Sequence, residues 1–362
     1  MMKPKQYDLI AIGAGSGGLA VAEKAAVLGR KVAIIESSRI GGTCVNHGCV
    51  PKKVMWYAAS LAQAVADADS FGVAAQRGKT DWKKLVAGRD SYIHNINDYW
   101  SGYVDAKGID RIQGHAKFVD ANTVEVEGHR YCADHIVIAT GSRPIVPQVP
   151  GAELGISSDG FFALSEQPER VAVIGGGYIG VELSGVLRAL GSQVTLITRE
   201  QRVLDRFDPM IGDVLSSEMR QQGIDIVTGF QVRALSRHAE GIAITSGAAQ
   251  TLSGFDSVIW AVGRAANTRQ LNLEAAGVHT SLDGAIPVDD YQNTSVKGLY
   301  AIGDVIGPPW LAHVASEEGV ACVEKIAGVK GLHPLDTSRI PGCTCSTLAT
   351  NFKVGCSPSV RV

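Results

Sequence analysis

The sequence predicts an α/β fold built from two Rossmann-like dinucleotide-binding domains. The prediction depends on two glycine-rich turns, because each lies between an apolar strand and a helical stretch. The length agrees with it, since 362 residues are long for one hydrophobic core and favour two or three domains.

The first unit starts with the apolar run YDLIAIG at residues 7–13. Its helical stretch stops at Gly29, and the strand KVAIIE that follows ends in Glu36. In such a unit the glycines let the backbone approach a pyrophosphate at a helix N-terminus, and the acid binds ribose hydroxyls. Besides Glu36, the expected contacts of the first nucleotide are Gly13, Gly15, Ser16, Gly17 and Gly18.

The second unit starts at Arg170 and repeats the order of strand, glycine turn, helix and strand. Two such units in one chain imply two nucleotide cofactors. The expected contacts of the second nucleotide in this turn are Gly175, Gly177, Ile179 and Gly180.

The order of the remaining segments predicts that the chain leaves its first domain and later returns to it. The Pro-rich stretch after the strand IVIAT is typical of a crossing between domains. We therefore expect the first domain at 1–148, the second at 149–270, a return to the first at 271–332, and a remnant at 333–362. Within the first domain, 53–107 predicts two helices, and 109–131 predicts an antiparallel hairpin that turns at Asp-Ala-Asn.

Composition excludes several classes of function. The 34 basic and 36 acidic residues nearly cancel, which gives no electrostatic case for binding nucleic acid or an anionic membrane. No apolar run reaches the roughly 18 residues that suggest a membrane span. The start of the chain enters a strand with no signal-type leader, so a cytoplasmic location is expected. In that compartment a disulfide is more often catalytic or redox-sensing than structural.

The segment GGTCVNHGCVPKK carries Cys44 and Cys49, which could bind a metal, form a structural disulfide or form a redox disulfide. Zinc sites favour cysteines two to four residues apart with a second pair downstream, and this spacing does not fit. Residues five apart on an ideal helix are too distant for a disulfide. A bond therefore needs a distorted turn, for which Gly48 and Pro51 are well placed, and a strained bond tends to be reducible. The tail cysteines Cys343, Cys345 and Cys356 are spaced unlike a metal site, and no metal is predicted.

The longer segment GGTCVNHGCVPKKVMW resembles the redox-active segment of the FAD-dependent pyridine nucleotide–disulfide oxidoreductases, most of all the glutathione reductases. The likeness extends over 7–304 through the two glycine turns and the motifs ATG, GISSDGFFAL, FDPMI, IWAVGR and AIGD. These motifs are specific to the superfamily and much less specific to a substrate. The resemblance implies FAD as the first cofactor.

The resemblance also implies roles for four catalytic residues. Cys49 would be the thiol that contacts the flavin, and Cys44 the thiol that attacks the substrate disulfide. Lys52 would lie beside the reactive flavin nitrogen, paired with Glu182, where its charge can stabilise the reduced flavin. His47 is unusual for this motif, and we expect an exposed turn residue rather than one that tunes a thiol.

Further cofactor contacts follow from the matched motifs. Tyr178 would cover the flavin until the nicotinamide displaces it, Asp304 would bind the ribityl chain, and Glu36 the adenosine ribose. The other contacts implied by these motifs are Thr43, Thr140, Gly141 and Gly263.

The end of the second unit favours NADPH over NADH. Thr198 stands where an NAD site carries an acid, and Arg199 matches the first arginine that binds the 2′-phosphate in glutathione reductases. Their second arginine aligns with Asp205, which leaves Arg206 or Arg202 as a substitute.

The resemblance breaks at the substrate site and near the end of the chain. Glu23 replaces the first arginine that grips glutathione disulfide, and an acid repels an anionic ligand. The stretch GPPWLAHVASEEG resembles dihydrolipoamide dehydrogenase. After Thr344 both the family resemblance and clear strand alternation are lost, and His333 is interpreted as a loop residue. We therefore expect the C-terminal interface domain, with its acid–base residues, to be missing.

Together these patterns predict an NADPH-driven, FAD-dependent reductase of a small disulfide, with glutathione disulfide as the expected substrate. The alternatives are a dihydrolipoamide dehydrogenase, or a non-catalytic flavin-binding fragment or redox sensor. The family forms homodimers, which is doubtful for a chain that lacks the interface domain.

Overall fold

The computed structural model describes residues 3–337, 340–345 and 353–355. Its strands are β1 (Lys5–Ile12), β2 (Val32–Glu36), β3 (Asp110–Gln113), β4 (Lys117–Asp120), β5 (Thr123–Val126), β6 (His129–Ile138), β7 (Ser142–Pro144), β8 (Ile156–Ser157), β9 (Arg170–Ile174), β10 (Gln193–Ile197), β11 (Asp225–Val227), β12 (Val232–His238), β13 (Gly241–Ser246), β14 (Thr251–Phe255), β15 (Ser257–Trp260), β16 (Arg264–Ala266), β17 (Leu299–Ala301), β18 (Pro341–Cys343) and β19 (Lys353–Gly355). The helices are α1 (Ser16–Val27), α2 (Gly42–Asn46), α3 (Cys49–Asp67), α4 (Trp82–Ala106), α5 (Ser158–Phe162), α6 (Tyr178–Leu190), α7 (Pro209–Gln221) and α8 (Ala312–Ile326).

The first sheet has the order β3-β2-β1-β6-β5-β4, with β17 also paired to β6. Strand β1 runs parallel to β2 on one side and to β6 on the other, so the strand order reverses beside β1. The crevice at the carboxyl end of such a reversal is where open α/β sheets bind ligands. Strand β17 runs parallel to the last residues of β6, so the chain re-enters the first sheet after building the second.

The core of this sheet explains why β1 is almost continuously apolar. Leu9, Ile10, Ala11 and Ile12 are all buried, because one face packs against α1 and α8 and the other against the segment around Leu273. A parallel strand that is covered on both faces needs apolar residues in succession rather than in alternation.

The second sheet is entirely parallel and has the order β11-β10-β9-β15-β8. Strand β9 lies between β10 and β15, so the order again reverses beside the strand that precedes a glycine turn. A three-stranded antiparallel sheet, β12-β13-β14, packs nearby, and the pair β7–β16 joins the segments that run between the two main sheets. The predicted fold of two Rossmann-like units is confirmed. The domain boundaries at 148, 270 and 332 remain predictions.

Three local predictions have different outcomes. The two helices in 53–107 correspond to α3 and α4. The hairpin is present as β4–β5, but the prediction is wrong for β3, which pairs in parallel with β2. After Thr344, where the sequence shows no clear strand alternation, the short strand β19 pairs with β18. His333 lies in an irregular segment, as predicted.

Among the described residues, no helix is long and apolar enough to cross a membrane.

Candidate active site

The first glycine turn is shaped by two close backbone approaches. Gly13 has φ +109°, and a Cβ on Gly18 would lie 1.8 Å from the Gly13 carbonyl oxygen. Neither position therefore accepts a side chain. Gly15, the N-cap of α1, is different, because the nearest atom to a Cβ there is the Gly42 Cα at 3.8 Å. The open space beside Gly15, at the N-terminus of α1, fits a pyrophosphate.

The second glycine turn repeats this geometry. Gly175 has φ +125°, and a Cβ on Gly180 would lie 1.9 Å from the Gly175 carbonyl oxygen. A Cβ on Gly177, the N-cap of α6, would have no neighbouring atom within 4 Å. Both turns thus hold a helix close to a strand and leave a cradle at the helix N-terminus. This is the arrangement that a second dinucleotide requires.

Glu36 lies at the carboxyl end of β2 beside the first turn. Its Oε2 accepts a hydrogen bond from the Ala14 amide at 2.7 Å, and its Oε1 accepts one from the Ser38 amide at 2.8 Å. Each carboxylate oxygen has a second lone pair, so the side chain is fixed in position and can still accept ribose hydroxyls.

A helix break brings the two cysteines of the GGTCVNHGC segment together. Cys44 lies in α2 and Cys49 is the first residue of α3, with Gly48 between the helices at φ −146°, ψ −118°. A Cβ on Gly48 would lie 2.9 Å from the Thr43 carbonyl oxygen, so the close turn requires glycine. The two thiols are hydrogen-bonded to each other, and the predicted distortion at Gly48 is present.

The two thiols differ in protonation. The hydrogen bond from Cys44 lowers the pKa of Cys49 to about 6, and the charge of Lys52 adds to this effect against the opposing effect of burial. The same hydrogen bond, together with burial, raises the pKa of Cys44 well above its ordinary value. In the dithiol form, Cys49 is therefore the thiolate and Cys44 holds the proton. A thiolate is the reactive form of cysteine.

Lys52 and Glu182 form a buried ion pair between the two units. The Lys52 Nζ lies 2.8 Å from the Glu182 Oε1, and their side chains are only 12% and 8% exposed. Burial lowers the pKa of Lys52, but the charge and hydrogen bond of Glu182 outweigh it and the pKa is raised. Burial also raises the pKa of Glu182, which Lys52 offsets only in part. The pair links α3, which carries Cys49, to α6, which begins at the second glycine turn.

Tyr178, the first residue of α6, lies near this pair. Burial raises the pKa of its hydroxyl to about 12, and the charges of Asp304, Glu182 and Cys49 act in the same direction against that of Arg264. A hydroxyl that is influenced by residues of both units lies where the units meet. This position is compatible with the predicted cover over a flavin.

Asp304 is held by two residues that the sequence reasoning did not select. Its Oδ2 accepts a hydrogen bond from the Ser142 hydroxyl at 2.6 Å and lies 4.0 Å from the Nε of buried Arg264. Arg264 also donates to the Ser142 hydroxyl and carbonyl oxygens at 2.7 and 2.8 Å. The Glu318 carboxylate accepts a hydrogen bond from the Gly303 amide at 2.7 Å, which fixes the turn before Asp304. The only sequence signal was that Arg264 ends the matched motif IWAVGR.

Other predicted contacts lie on the segments that connect the two units. The Thr140 hydroxyl donates to the Asn267 carbonyl at 2.8 Å, and the Asn267 amide donates to the Gly141 carbonyl at 2.9 Å. Gly263 has φ +132°, which disfavours any other residue. Ser16, Gly17, Thr43 and Ile179 lie at the starts of α1, α2 and α6, within or next to the two turns.

The residues proposed to select the nicotinamide nucleotide follow β10. Thr198 is buried, Arg199 is exposed and pairs with Glu200 at 2.7 Å, and Arg206 is exposed. Arg202 is engaged elsewhere, because it pairs with Asp205 at 3.6 Å and Asp213 at 3.5 Å. Arg199 and Arg206 are exposed whereas Arg202 is partly buried, so they are the better placed of the three arginines.

His47 does not occupy the exposed position that was expected. It caps α2, its Nδ1 is buried without a hydrogen-bond partner, and burial lowers its pKa. The charges that act on it are those of Asp159, Arg39 and Arg89. His47 thus lies in the turn, as predicted, but the prediction that it is exposed is wrong, because it is half-buried. Within the described part of the chain, no histidine hydrogen-bonds either thiol.

Residues 7–319 match the family described as pyridine nucleotide-disulphide oxidoreductase, which is most of the chain. The chain belongs to the pyridine nucleotide-disulphide oxidoreductases. This oxidoreductase is 40% identical to a glutathione reductase of Schizosaccharomyces pombe over 93% of this chain and 75% of that protein. It is also 40% identical to a glutathione reductase of Yarrowia lipolytica over 89% of this chain and 72% of that protein.

Solved structures of one flavoprotein resemble this oxidoreductase over nearly its whole length. The Cu(II) complex of the HOCl-induced flavoprotein disulfide reductase RclA from Escherichia coli matches with a TM-score of 0.86 at 27% identity, covering 96% of this chain and 76% of that chain. A second structure of RclA matches with a TM-score of 0.85 at 28% identity, covering 94% and 76%. The predicted family and its enzymatic class are confirmed. Among the described residues, no group of three or more histidine, cysteine or acidic side chains could hold a metal, and Cys356 lies outside those residues.

Proposed function

We propose that this oxidoreductase transfers electrons from NADPH through FAD to the Cys44–Cys49 pair and then to glutathione disulfide. The observation that carries the proposal is the Lys52–Glu182 pair at 2.8 Å, because it joins the helix of the redox cysteines to the helix of the second nucleotide turn. When bound, FAD and NADPH supply a path for two electrons from a nicotinamide to a protein disulfide.

The residues that would hold the two cofactors lie in two groups. Glu36, Asp304 and the open cradle at Gly15 would hold FAD, while the cradle at Gly177 and the arginines after β10 would hold NADPH. Lys52 supports reduction because its positive charge, kept by Glu182, stabilises negative charge that develops nearby. Tyr178 would exclude water between the two groups until NADPH is bound.

The cysteines would act through the protonation difference described above. Cys49 holds its negative charge with help from the Cys44 thiol and the Lys52 ammonium group. Cys44, assigned to attack the substrate, keeps its proton until a base removes it. Substrate exchange therefore depends on a group that accepts this proton, whereas reduction of the Cys44–Cys49 disulfide does not.

NADPH is proposed over NADH on electrostatic grounds. An exposed arginine can form a bidentate contact with a 2′-phosphate. Arg199, just after β10, and Arg206, farther along the segment between β10 and α7, are both exposed. Thr198 provides no carboxylate there to bind a free 2′-hydroxyl.

A dihydrolipoamide dehydrogenase is the second candidate, and the residues at the expected glutathione site favour it. Glu23, which stands in place of an arginine and accepts a hydrogen bond from the Tyr103 hydroxyl, would repel an anionic glutathione carboxylate. The neighbouring Lys24 is already paired with Glu324 at 2.6 Å. The two relatives named above are glutathione reductases, which supports the first candidate.

The test is steady-state reduction of glutathione disulfide and of lipoamide, each with NADPH and with NADH, by FAD-loaded protein. The proposal expects NADPH with glutathione disulfide to be the best combination. Faster turnover of lipoamide with the NAD couple would favour the second candidate, and the absence of any bound flavin would contradict both. Gel filtration of the same preparation tests whether this chain forms the homodimer of its family, and fractionation of the source cells tests the proposed cytoplasmic location.

A further inference from the structure

A second cysteine pair contacts the Lys52–Glu182 ion pair. The Cys345 amide donates a hydrogen bond to the Glu182 Oε1 at 2.7 Å, and the Cys345 thiol is hydrogen-bonded to Lys52. Cys343 lies two residues earlier at the end of β18, and its thiol is hydrogen-bonded to that of Cys345.

The geometry of this segment allows an internal disulfide. Two residues of fully extended chain span at most about 7 Å between Cα atoms, which is the upper limit for a disulfide, and the strand ends at Cys343. Thr344 is buried between the two cysteines, whereas Cys343 is exposed and Cys345 is partly exposed. Both thiols therefore lie on the accessible side of the segment and are already in contact.

We propose that Cys343 and Cys345 form a second redox-active pair, which a small disulfide oxidises to an internal disulfide and which thereby alters the environment of Lys52. The proposed effect on Lys52 rests on the proposed function, but formation of the disulfide does not. Cys343 is accessible to solvent, and Cys345 is the member that contacts the ion pair.

The exchange balances with a small disulfide RSSR as the oxidant. The thiolate of one cysteine attacks a sulfur of RSSR, the S–S bond breaks, and RS⁻ leaves and takes up the proton released by that cysteine. The second cysteine then attacks the mixed disulfide, forms the Cys343–Cys345 bond and releases a second RSH. The protein loses two electrons and two protons, and RSSR becomes two RSH.

Oxidation weakens the hydrogen bond that Lys52 donates to the Cys345 sulfur. A sulfur in a disulfide cannot exist as a thiolate, so it is a weaker acceptor for an ammonium group. Lys52 would then be held mainly by Glu182. One hydrogen bond of ordinary strength corresponds to an effect of about 2–10-fold, so we expect electron entry from NADPH to slow by that factor.

Trypsin separates the two cysteine pairs, which makes the proposal measurable. Peptide 340–353 contains Cys343 and Cys345 as its only cysteines, and peptide 40–52 contains only Cys44 and Cys49. FAD-loaded protein is incubated with glutathione disulfide, blocked with iodoacetamide, digested and analysed by mass spectrometry. Peptide 131–170 carries Cys132 alone and serves as the internal control for a partly buried single thiol.

The expected result is that most of peptide 340–353 is two hydrogen atoms lighter and free of alkyl groups. In the Cys343→Ser variant the same peptide should instead carry one glutathione on Cys345. Recovery of the wild-type peptide with two alkyl groups, while peptide 40–52 is oxidised, would overturn the proposal.

The effect on Lys52 is measured by stopped-flow reduction with NADPH before and after glutathione disulfide treatment. Wild-type protein should slow by about 2–10-fold more after treatment than the double variant Cys343→Ser/Cys345→Ser does. The double variant reports the effect of oxidising the Cys44–Cys49 pair, so the excess in the wild-type protein is the effect of the second pair. Equal changes in both proteins would refute the effect on Lys52, and failure of any NADPH reduction in untreated protein would instead refute the proposed function.

Discussion

Removing one member of the Lys52–Glu182 pair should destabilise the protein more than removing both. The variants are Glu182→Gln, Glu182→Leu, Lys52→Met and the double variant Lys52→Met/Glu182→Leu. The pair is a strict test because both side chains are buried and the two atoms lie 2.8 Å apart.

The magnitudes follow from burial. Breaking a buried ion pair by removing one partner costs about 3–5 kcal/mol, because the other charge is left without compensation. Glu182→Gln should lie near the lower end of that range, since its amide oxygen can still accept the hydrogen bonds of Lys52 and the Cys345 amide. Burial raises the pKa of Glu182 even with Lys52 present, so desolvation exceeds the attraction felt by the carboxylate. The double variant should therefore be within about 1 kcal/mol of wild type, or more stable.

The pH dependence has a definite sign. In Lys52→Met, Glu182 loses its cation and its pKa rises further. A carboxyl whose folded pKa is raised binds a proton more tightly in the folded state, so stability falls as the pH rises through that pKa. The cost of Lys52→Met should therefore be larger at about pH 8 than at about pH 5.

The assay is urea unfolding followed by tryptophan fluorescence at one saturating FAD concentration. FAD affinity is measured for each variant, because a change in that affinity also changes the apparent free energy of unfolding and has to be subtracted. A lower midpoint at an unchanged slope reports a change in the free energy of unfolding. Two results would contradict the expected coupling. One is that all the single variants match wild type within about 0.5 kcal/mol, and the other is that the double variant loses the sum of the losses of Lys52→Met and Glu182→Leu.

Three further predictions concern the cofactor and the thiols. Arg199→Glu should weaken NADPH binding by about 1.5–3 kcal/mol and NADH binding much less, because it removes a charge-assisted contact to the 2′-phosphate. Gly177→Ala should leave the free energy of unfolding unchanged but weaken NADPH binding, since the added Cβ meets no protein atom and fills the cradle. Cys44→Ala should raise the pKa of Cys49 from about 6 towards 9.0, so its alkylation by iodoacetamide would shift to higher pH.

Each of these has its own control. Arg202→Gln is the control for Arg199→Glu. Because Arg202 is paired with Asp205, its replacement should change the binding of NADPH and of NADH equally. Equal losses of NADPH and NADH with Arg199→Glu would remove that residue from the phosphate site. Calorimetric NADPH binding of Gly177→Ala that equals wild type would place the pyrophosphate elsewhere. An unchanged pH profile in Cys44→Ala would mean that Cys44 does not stabilise the Cys49 thiolate.

The two nucleotide units could be predicted from sequence because their constraints are local. Gly18 must be glycine since its own turn brings the Gly13 carbonyl against it, and the same holds for Gly180 and Gly175. Such contacts between residues five apart leave a pattern that can be read directly from the chain.

Contacts between distant segments could not be predicted in this way. The Lys52–Glu182 pair joins residues 130 positions apart and was expected only through the family resemblance. Ser142 and Arg264 are separated by 122 positions and were missed as supports of Asp304. His47 was misjudged because its burial depends on the fold around it and not on its own turn.

Strand pairing was ambiguous for a related reason. Alternating residues in β3 suit an edge strand of a parallel sheet as well as an arm of a hairpin. The partner, β2, decides between them, and it lies far earlier in the chain.

Reduction of the Cys44–Cys49 disulfide by NADPH through bound FAD is the step on which the proposed function depends, and it can be observed directly. Protein oxidised with glutathione disulfide is mixed anaerobically with NADPH, quenched with iodoacetamide and digested with trypsin. The mass of peptide 40–52 is then measured by mass spectrometry. We expect two alkyl groups on this peptide when FAD is bound and none when FAD has been removed. Consumption of NADPH by the FAD-loaded protein, with peptide 40–52 still an internal disulfide, would contradict this electron path.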